Sequence, residues 1–176
     1  MIASASTVHK SKKIDKINWT SSFGFEVYGV RVGIRANSNE VLSRVRERLP
    51  LVFPIGLSEC EFDSCEHIFS VRWAEKRSQS HLFFKDDEES HTQKYSDTKL
   101  DLLDSKLRIT VAEFAVGYAF IHAGAVRYGD TAMIIPAKSF SGKTTLVAEF
   151  AKLGLQYYSD EYAVIDEKGM LHPYPK

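Results

Sequence analysis

The 176-residue chain has only two cysteines, Cys60 and Cys65, and only five prolines. It also lacks an excess of either charge: Lys plus Arg and Asp plus Glu are both 23, a formal net charge of zero. That balance argues against the broad basic field by which general nucleic-acid binders and anionic-membrane binders hold their partners. No apolar run approaches the ~20 residues of a membrane-spanning helix. The opening segment, MIASASTVHKSKKIDK, is rich in Ser and Lys without an apolar centre. It does not read as a secretory leader and predicts a flexible arm over residues 1–16. A C-x4-C pair with no second pair is a poor zinc half-site, even with His67 close by, and reads as two reduced thiols. Scarce cysteine and the missing leader pattern together predict a cytoplasmic protein.

What is present is a globular composition, 44% hydrophobic and 26% charged. The length suits one ordinary domain or two small ones. Alternating apolar residues from Phe25 to Ala36 predict a strand, with Gly29 disturbing the period as a bulge would. A short helix follows, capped by Asn37 or Ser38 and ended with the help of Pro50, with Val41, Leu42, Val45 and Leu49 on one face. Residues 66–73 and 80–85 read as two strands of a hairpin, and 86–99 as a solvated surface loop. Leu100, Leu103, Leu107, Val111, Phe114 and Tyr118 step by three and four, which predicts a core-facing helix over about 99–118. The coarse division is an arm (1–16), a small α+β region (17–98) and a second unit (99–176).

The chemistry is concentrated after Phe120. In AFIHAGAVRYGDTAMII two apolar runs flank a Tyr-Gly-Asp turn, predicting a hairpin that ends in a strand over Thr131–Ile135. Next come Ala137, Lys138, Ser139, Phe140, Ser141, Gly142, Lys143, Thr144 and Thr145, then a helical period through Leu146, Val147, Phe150 and Leu153, with Gly154 as a stop. Strand, loop, Gly-Lys-Thr and helix is the context of a phosphate-binding loop. Such a loop wraps a phosphate chain in backbone N–H groups and points it at a positive helix end. Lys143 would reach the terminal phosphates and Thr144 would hold Mg2+. The first position of the G-x-x-x-x-G-K-[ST] pattern is Ala137, and Phe140 stands where such loops favour a small residue.

A short strand over Leu155–Tyr158 ends at Ser159-Asp160-Glu161. Two acids there, near a phosphate loop, suit one metal ligand and one proton acceptor. His122, on the strand leading into the hairpin, is a third candidate, with a structural role as the alternative. Asp166-Glu167-Lys168-Gly169 reads as a hairpin turn.

These residues, His122 in IHAGAV, then AKSFSGKTTL, then YYSDEYAVID, resemble the nucleotide-binding domain of the HPr kinase/phosphorylase family. The likeness covers about residues 119–176 and is nearest to HPr-kinase-related proteins that keep the SDEYA signature. It implies an α/β unit, α+β for the whole chain: a P-loop sheet half-domain related to phosphoenolpyruvate carboxykinase, preceded by the small β-rich region. It further implies ATP and Mg2+ as cofactors and transfer of a phosphoryl group to a serine of a protein or peptide. In that match Asp160 accepts the proton, His122 assists it, Lys143 polarises phosphate, and Thr144 and Glu161 serve the metal. Glu161 stands where the family carries a second Asp, and residues 1–118 show no family pattern. The alternative is a non-catalytic nucleotide-binding or interaction module. A complete phosphate-loop domain usually needs ~150 residues or more. The short stretch after Lys143 therefore predicts a truncated unit with exposed apolar sheet surface, prone to self-association.

Overall fold

The structure, a computed structural model, describes residues 17–73, 81–84, 88–90, 96–138 and 141–175. It is a mixed α/β arrangement, with three α-helices and three sheets among the described residues. Strands β1 (Ser21–Val27) and β2 (Val30–Ala36) form a hairpin in which Phe23, Phe25 and Val27 face Ile34, Val32 and Val30. The single strand expected over Phe25–Ala36 is thus two. Tyr28 (φ 51°) and Gly29 (φ 74°) both adopt positive φ, as a two-residue hairpin turn of the primed type requires, so Gly29 reverses the chain instead of bulging it.

Helix α1 (Asn39–Val52) lies on the apolar face of this hairpin with Val41, Leu42, Val45, Leu49 and Val52 buried. Ser38 is its N-cap, accepting from the Val41 N–H at 3.5 Å. Pro50 does not end the helix. It sits in the last turn, and the Phe53 N–H closes that turn on Leu49 O at 2.7 Å while Val52 and Phe53 enter the core. After β3 (Ser58–Cys60) and a single 3₁₀ turn (Phe62–Ser64), β4 (His67–Arg72) pairs parallel with β2. A parallel neighbour needs a long crossover, and α1 supplies it. Strands β5 (His81–Phe84) and β6 (Glu88–Ser90) extend the sheet antiparallel, giving the order β3-β1-β2-β4-β5-β6. The expected β4–β5 hairpin is present, but β6 lies inside the segment read as a loop, where an acidic sequence gives no apolar alternation to read.

The face of the hairpin away from α1 carries the cross-strand pair Gly24 and Gly33. A Cβ on Gly33 would come within 2.8 Å of the Phe62 ring, and one on Gly24 within 2.7 Å of Cys60 O and of Cys65 Sγ. The missing side chains let the 3₁₀ segment lie flat on the strands.

Helix α2 (Ser96–Phe114) buries Leu100, Leu103, Leu107 and Val111, as its period predicts. It stops four residues short of Tyr118: Gly117 takes a φ of 76°, Val116 N–H bonds Tyr28 O, and Tyr118 opens a strand, while Phe114, 39% exposed, packs on the His67 ring. Arg48 of α1 pairs with Asp101 and Asp104 of α2.

The rest of the chain forms two three-stranded sheets. Strands β7 (Tyr118–Ile121), β11 (Ala163–Asp166) and β12 (Leu171–His172) make one in the order β12-β11-β7. Strands β8 (Ala123–Tyr128), β9 (Thr131–Pro136) and β10 (Gln156–Ser159) make the other in the order β10-β8-β9. The Gly129-Asp130 turn and the Asp166–Gly169 turn fall where the sequence predicts them. Tyr174 returns to the first core, fully buried, with its hydroxyl on Val52 O at 3.3 Å. No helix of the described residues is long and apolar enough to cross a membrane.

Candidate functional site

Two short segments carry the chain from one small sheet to the other. His122 alone separates β7 from β8, and Asp160-Glu161-Tyr162 separates β10 from β11. The two crossings are neighbours, because Ala163 pairs with Ile121 on one side and Ser159 with Ala125 on the other. The end of β9 lies at the same place, since Pro136 pairs with Ala123, so the loop after β9 leaves from this seam as well. Register alone therefore brings together His122, Ala137 at the start of the loop, and Asp160 with Glu161.

Helix α3 (Lys143–Lys152) begins the return from β9 to β10. Both strands run antiparallel to β8, hence parallel to each other with β8 between them. Gly142 takes φ 90° and ψ 15°, a left-handed geometry that glycine adopts without strain. The first turn of α3 has no side-chain cap and no acidic residue, so its N–H groups and positive dipole end face the loop. Helix α3 sits close on β8: a Cβ on Gly124 would lie 2.6 Å from Val147 Cγ2. Of the expected helical stripe, Val147 is buried and Phe150 half-buried, while Leu146 and Leu153 are exposed. A three-stranded sheet offers cover to one narrow line of the helix.

Lys143 is buried despite its charge, and its ammonium is well supplied with acceptors. Nζ donates to Ala137 O at 2.7 Å and Lys138 O at 3.2 Å, and lies 3.2 Å from His122 Nε2. Three contacts match the three protons of an ammonium, with His122 Nε2 an acceptor in the tautomer that carries its proton on Nδ1. The lysine thus ties the loop to the first crossing. Ser141 N–H bonds Lys138 O at 3.3 Å, tightening the loop. Thr144 and Thr145 are exposed on the first turn of α3. Ser139 and Phe140 lie outside the described residues.

The second crossing is braced by Ser159, which is fully buried and whose Oγ accepts from the N–H groups of Glu161 (3.1 Å) and Tyr162 (3.0 Å). Asp160 Oδ1 accepts from the Tyr157 hydroxyl at 2.9 Å. Tyr162 stands edge-on to His122, ring centres 5.9 Å apart, and packs in the same manner on Phe120 and Tyr174. Burial pushes the Tyr162 phenol above its ordinary 10.0, and the Glu161 carboxylate pushes the same way against the opposing charge of Arg108. Arg108, buried on α2, donates to Leu51 O at 3.1 Å and lies over the Tyr174 ring.

Tyr157, Ser159, Tyr162 and Gly124 are therefore parts of the site that the sequence reading passed over. A glycine inside an apolar strand is a signal of close backbone approach and points to Gly124. The tyrosines give no local signal, because their role depends on which strands pair. Among the described residues no group of three or more His, Cys, Asp or Glu could hold a metal ion. A Mg2+ ion delivered with a nucleotide does not need one. It takes one or two protein ligands and fills its octahedron with phosphate and water, and a Thr hydroxyl with one carboxylate fits that pattern. No family model, curated protein or solved structure matches the chain.

Proposed function

We propose that this chain is an ATP-binding, HPr-kinase-like protein whose seam carries Mg2+-dependent phosphoryl transfer to a serine of a protein or peptide. The observation that carries the reading is the placement of Lys143. Its ammonium sits at the start of α3, on the loop carbonyls and against His122, at the meeting point of strand, loop and acidic crossing. The parallel β9–loop–α3–β10 unit supports a P-loop half-domain of the kind the sequence resembles.

In this reading the loop and the first turn of α3 bind the phosphates through backbone N–H groups. Lys143 would give up its bonds to the Ala137 and Lys138 carbonyls to donate to a phosphate. Thr144 and Glu161 would hold the Mg2+, which supplies charge neutralisation on the transferred group. Asp160, oriented by Tyr157, accepts the serine proton, and His122 keeps the lysine and the crossing in register. The acceptor is a protein or peptide, not nucleic acid or membrane, in keeping with the neutral charge balance. The exposed apolar residues of the small sheets make a homo-oligomer a reasonable form of the protein.

Titration calorimetry of Mg2+–ATP against wild type and Lys143→Ala tests the reading. The variant should bind weaker by about 1–3 kcal/mol, the worth of charge-assisted hydrogen bonds. A well-folded wild type that binds no nucleotide overturns it. Binding without transfer to any serine peptide, equal in wild type and Asp160→Asn, would instead favour the non-catalytic module. Ala137 at the first loop position is the feature on that side.

A further inference from the structure

Away from the seam, the two cysteines meet. Cys60 ends β3, and Cys65 follows the 3₁₀ turn. Their sulfurs are 3.7 Å apart, and both residues are partly exposed. The arrangement is held by backbone: Ser64 N–H bonds Glu61 O and Cys65 N–H bonds Phe62 O, each at 3.0 Å, while Gly24 pairs with Cys60 across the strands. A Cβ on Gly24 would lie 2.7 Å from Cys65 Sγ and 3.1 Å from Cys60 Sγ. The two thiols therefore share the space that a side chain on β1 would otherwise occupy. A disulfide needs the sulfurs at about 2.05 Å. Closing the 3.7 Å gap to that length is the movement the oxidation requires.

We propose that Cys60 and Cys65 are a dithiol modification site, oxidised by hydroperoxides to an intrachain disulfide and restored by thiols. Cys60 is the residue that meets the oxidant. Cys65 keeps its proton: burial, and then the neighbouring Cys60 sulfur, push its thiol up to about 12, and its S–H has Glu61 O within 3.5 Å. The Cys60 thiolate attacks one peroxide oxygen. The S–O bond forms, the O–O bond breaks, and hydroxide leaves. Cys60 is then a sulfenic acid, oxidised by two electrons as the peroxide is reduced. Cys65 gives its proton to the hydroxide and attacks the Cys60 sulfur. The S–S bond forms, the S–O bond breaks, and the departing hydroxide takes up the proton that Cys60 released on ionising and leaves as the second water. The balance is two thiols plus one hydrogen peroxide giving one disulfide and two waters. A thiol such as dithiothreitol reverses it by exchange.

The test is intact-mass spectrometry of the whole chain after hydrogen peroxide and then iodoacetamide. Untreated protein should take up two alkyl groups. Treated protein should take up none and be lighter by two hydrogens, with both alkylation sites regained after dithiothreitol. In Cys65→Ser the sulfenic acid should persist on Cys60 and be trapped by dimedone. In Cys60→Ser dimedone labelling should be lost under the same exposure. Treated wild type that still takes two alkyl groups, or that yields only intermolecular disulfides or sulfinic acid, overturns the proposal. Strong dimedone labelling of Cys65 in Cys60→Ser overturns the assignment of Cys60 as the residue that meets the oxidant. The wild-type masses decide the matter even if a serine variant fails to fold.

Discussion

Around the six-stranded sheet, α1 and α2 seal in Phe25, Phe53, Phe69, Ile34, Leu103 and Leu107. Around the β10-β8-β9 sheet the buried cluster is Ala123, Ala125, Tyr158 and Ala163, while Tyr128, Met133, Leu146 and Leu153 face solvent. Hydrophobic stabilisation scales with apolar area removed from water, and alanines remove little. The first region therefore holds most of the folding free energy, and the candidate site rests on the thinner one. Functional elements are commonly drawn from the less stable end of a structure. Tyr174 and Val164 tie the two regions together, since both belong to the larger core.

Substitutions should separate the regions by size of effect. Leu107→Ala leaves a cavity in the large core and should cost ~2–5 kcal/mol in urea unfolding. A loss under half of that range would mean that the core is looser than its burial implies. Gly124→Ala forces α3 off β8 and should cost about 1–3 kcal/mol, the usual price of overpacking. It should also weaken the nucleotide binding proposed above, whereas Leu107→Ala in still-folded protein should not. Tyr174→Phe deletes the hydrogen bond to Val52 O and should cost ~0.5–1.5 kcal/mol. Leu146→Ala, on the open face of α3, should stay within about 0.5 kcal/mol in the same unfolding assay.

The smallest effect concerns acid. The His172 imidazole, the Met170 N–H and the Lys168 N–H hold the Asp166 carboxyl below its ordinary 3.8. A carboxyl with a depressed folded value binds fewer protons folded than unfolded. Its contribution is therefore present above pH 3.8 and lost as the pH falls through the folded value. Asp166→Asn should flatten the acid limb of a pH–stability profile slightly and leave the neutral region unchanged. An unchanged acid limb would show that the turn, not the charge, holds β11 to β12.

Local signals were readable where local physics decides. The 3.6-residue period of Leu100, Leu103, Leu107 and Val111 and the turn residues Gly129 and Gly169 each fix structure within a few neighbours. The Tyr28-Gly29 reversal was harder, since a tyrosine at positive φ is uncommon and apolar residues run on both sides. The end of α2 was missed because Phe114 and Tyr118 continue the period that Gly117 interrupts. For the site, the loop and its lysine follow from the motif. The seam does not, because it depends on β8 pairing with β10 while β7 pairs with β11, a choice no single segment encodes.

The two crossings also set where the chain can accept extra residues. The β8–β9 turn at Gly129-Asp130 is exposed and lies at the end of its sheet opposite the seam. Exposed turns of this kind are the places where proteins admit inserted segments. A tag or fluorophore spliced there would leave His122, Lys143 and Asp160 in register. One added residue at His122 or within Asp160–Tyr162 would slip one sheet against the other and part the loop from its acids. The shortest links in this half of the molecule are thus its least extensible.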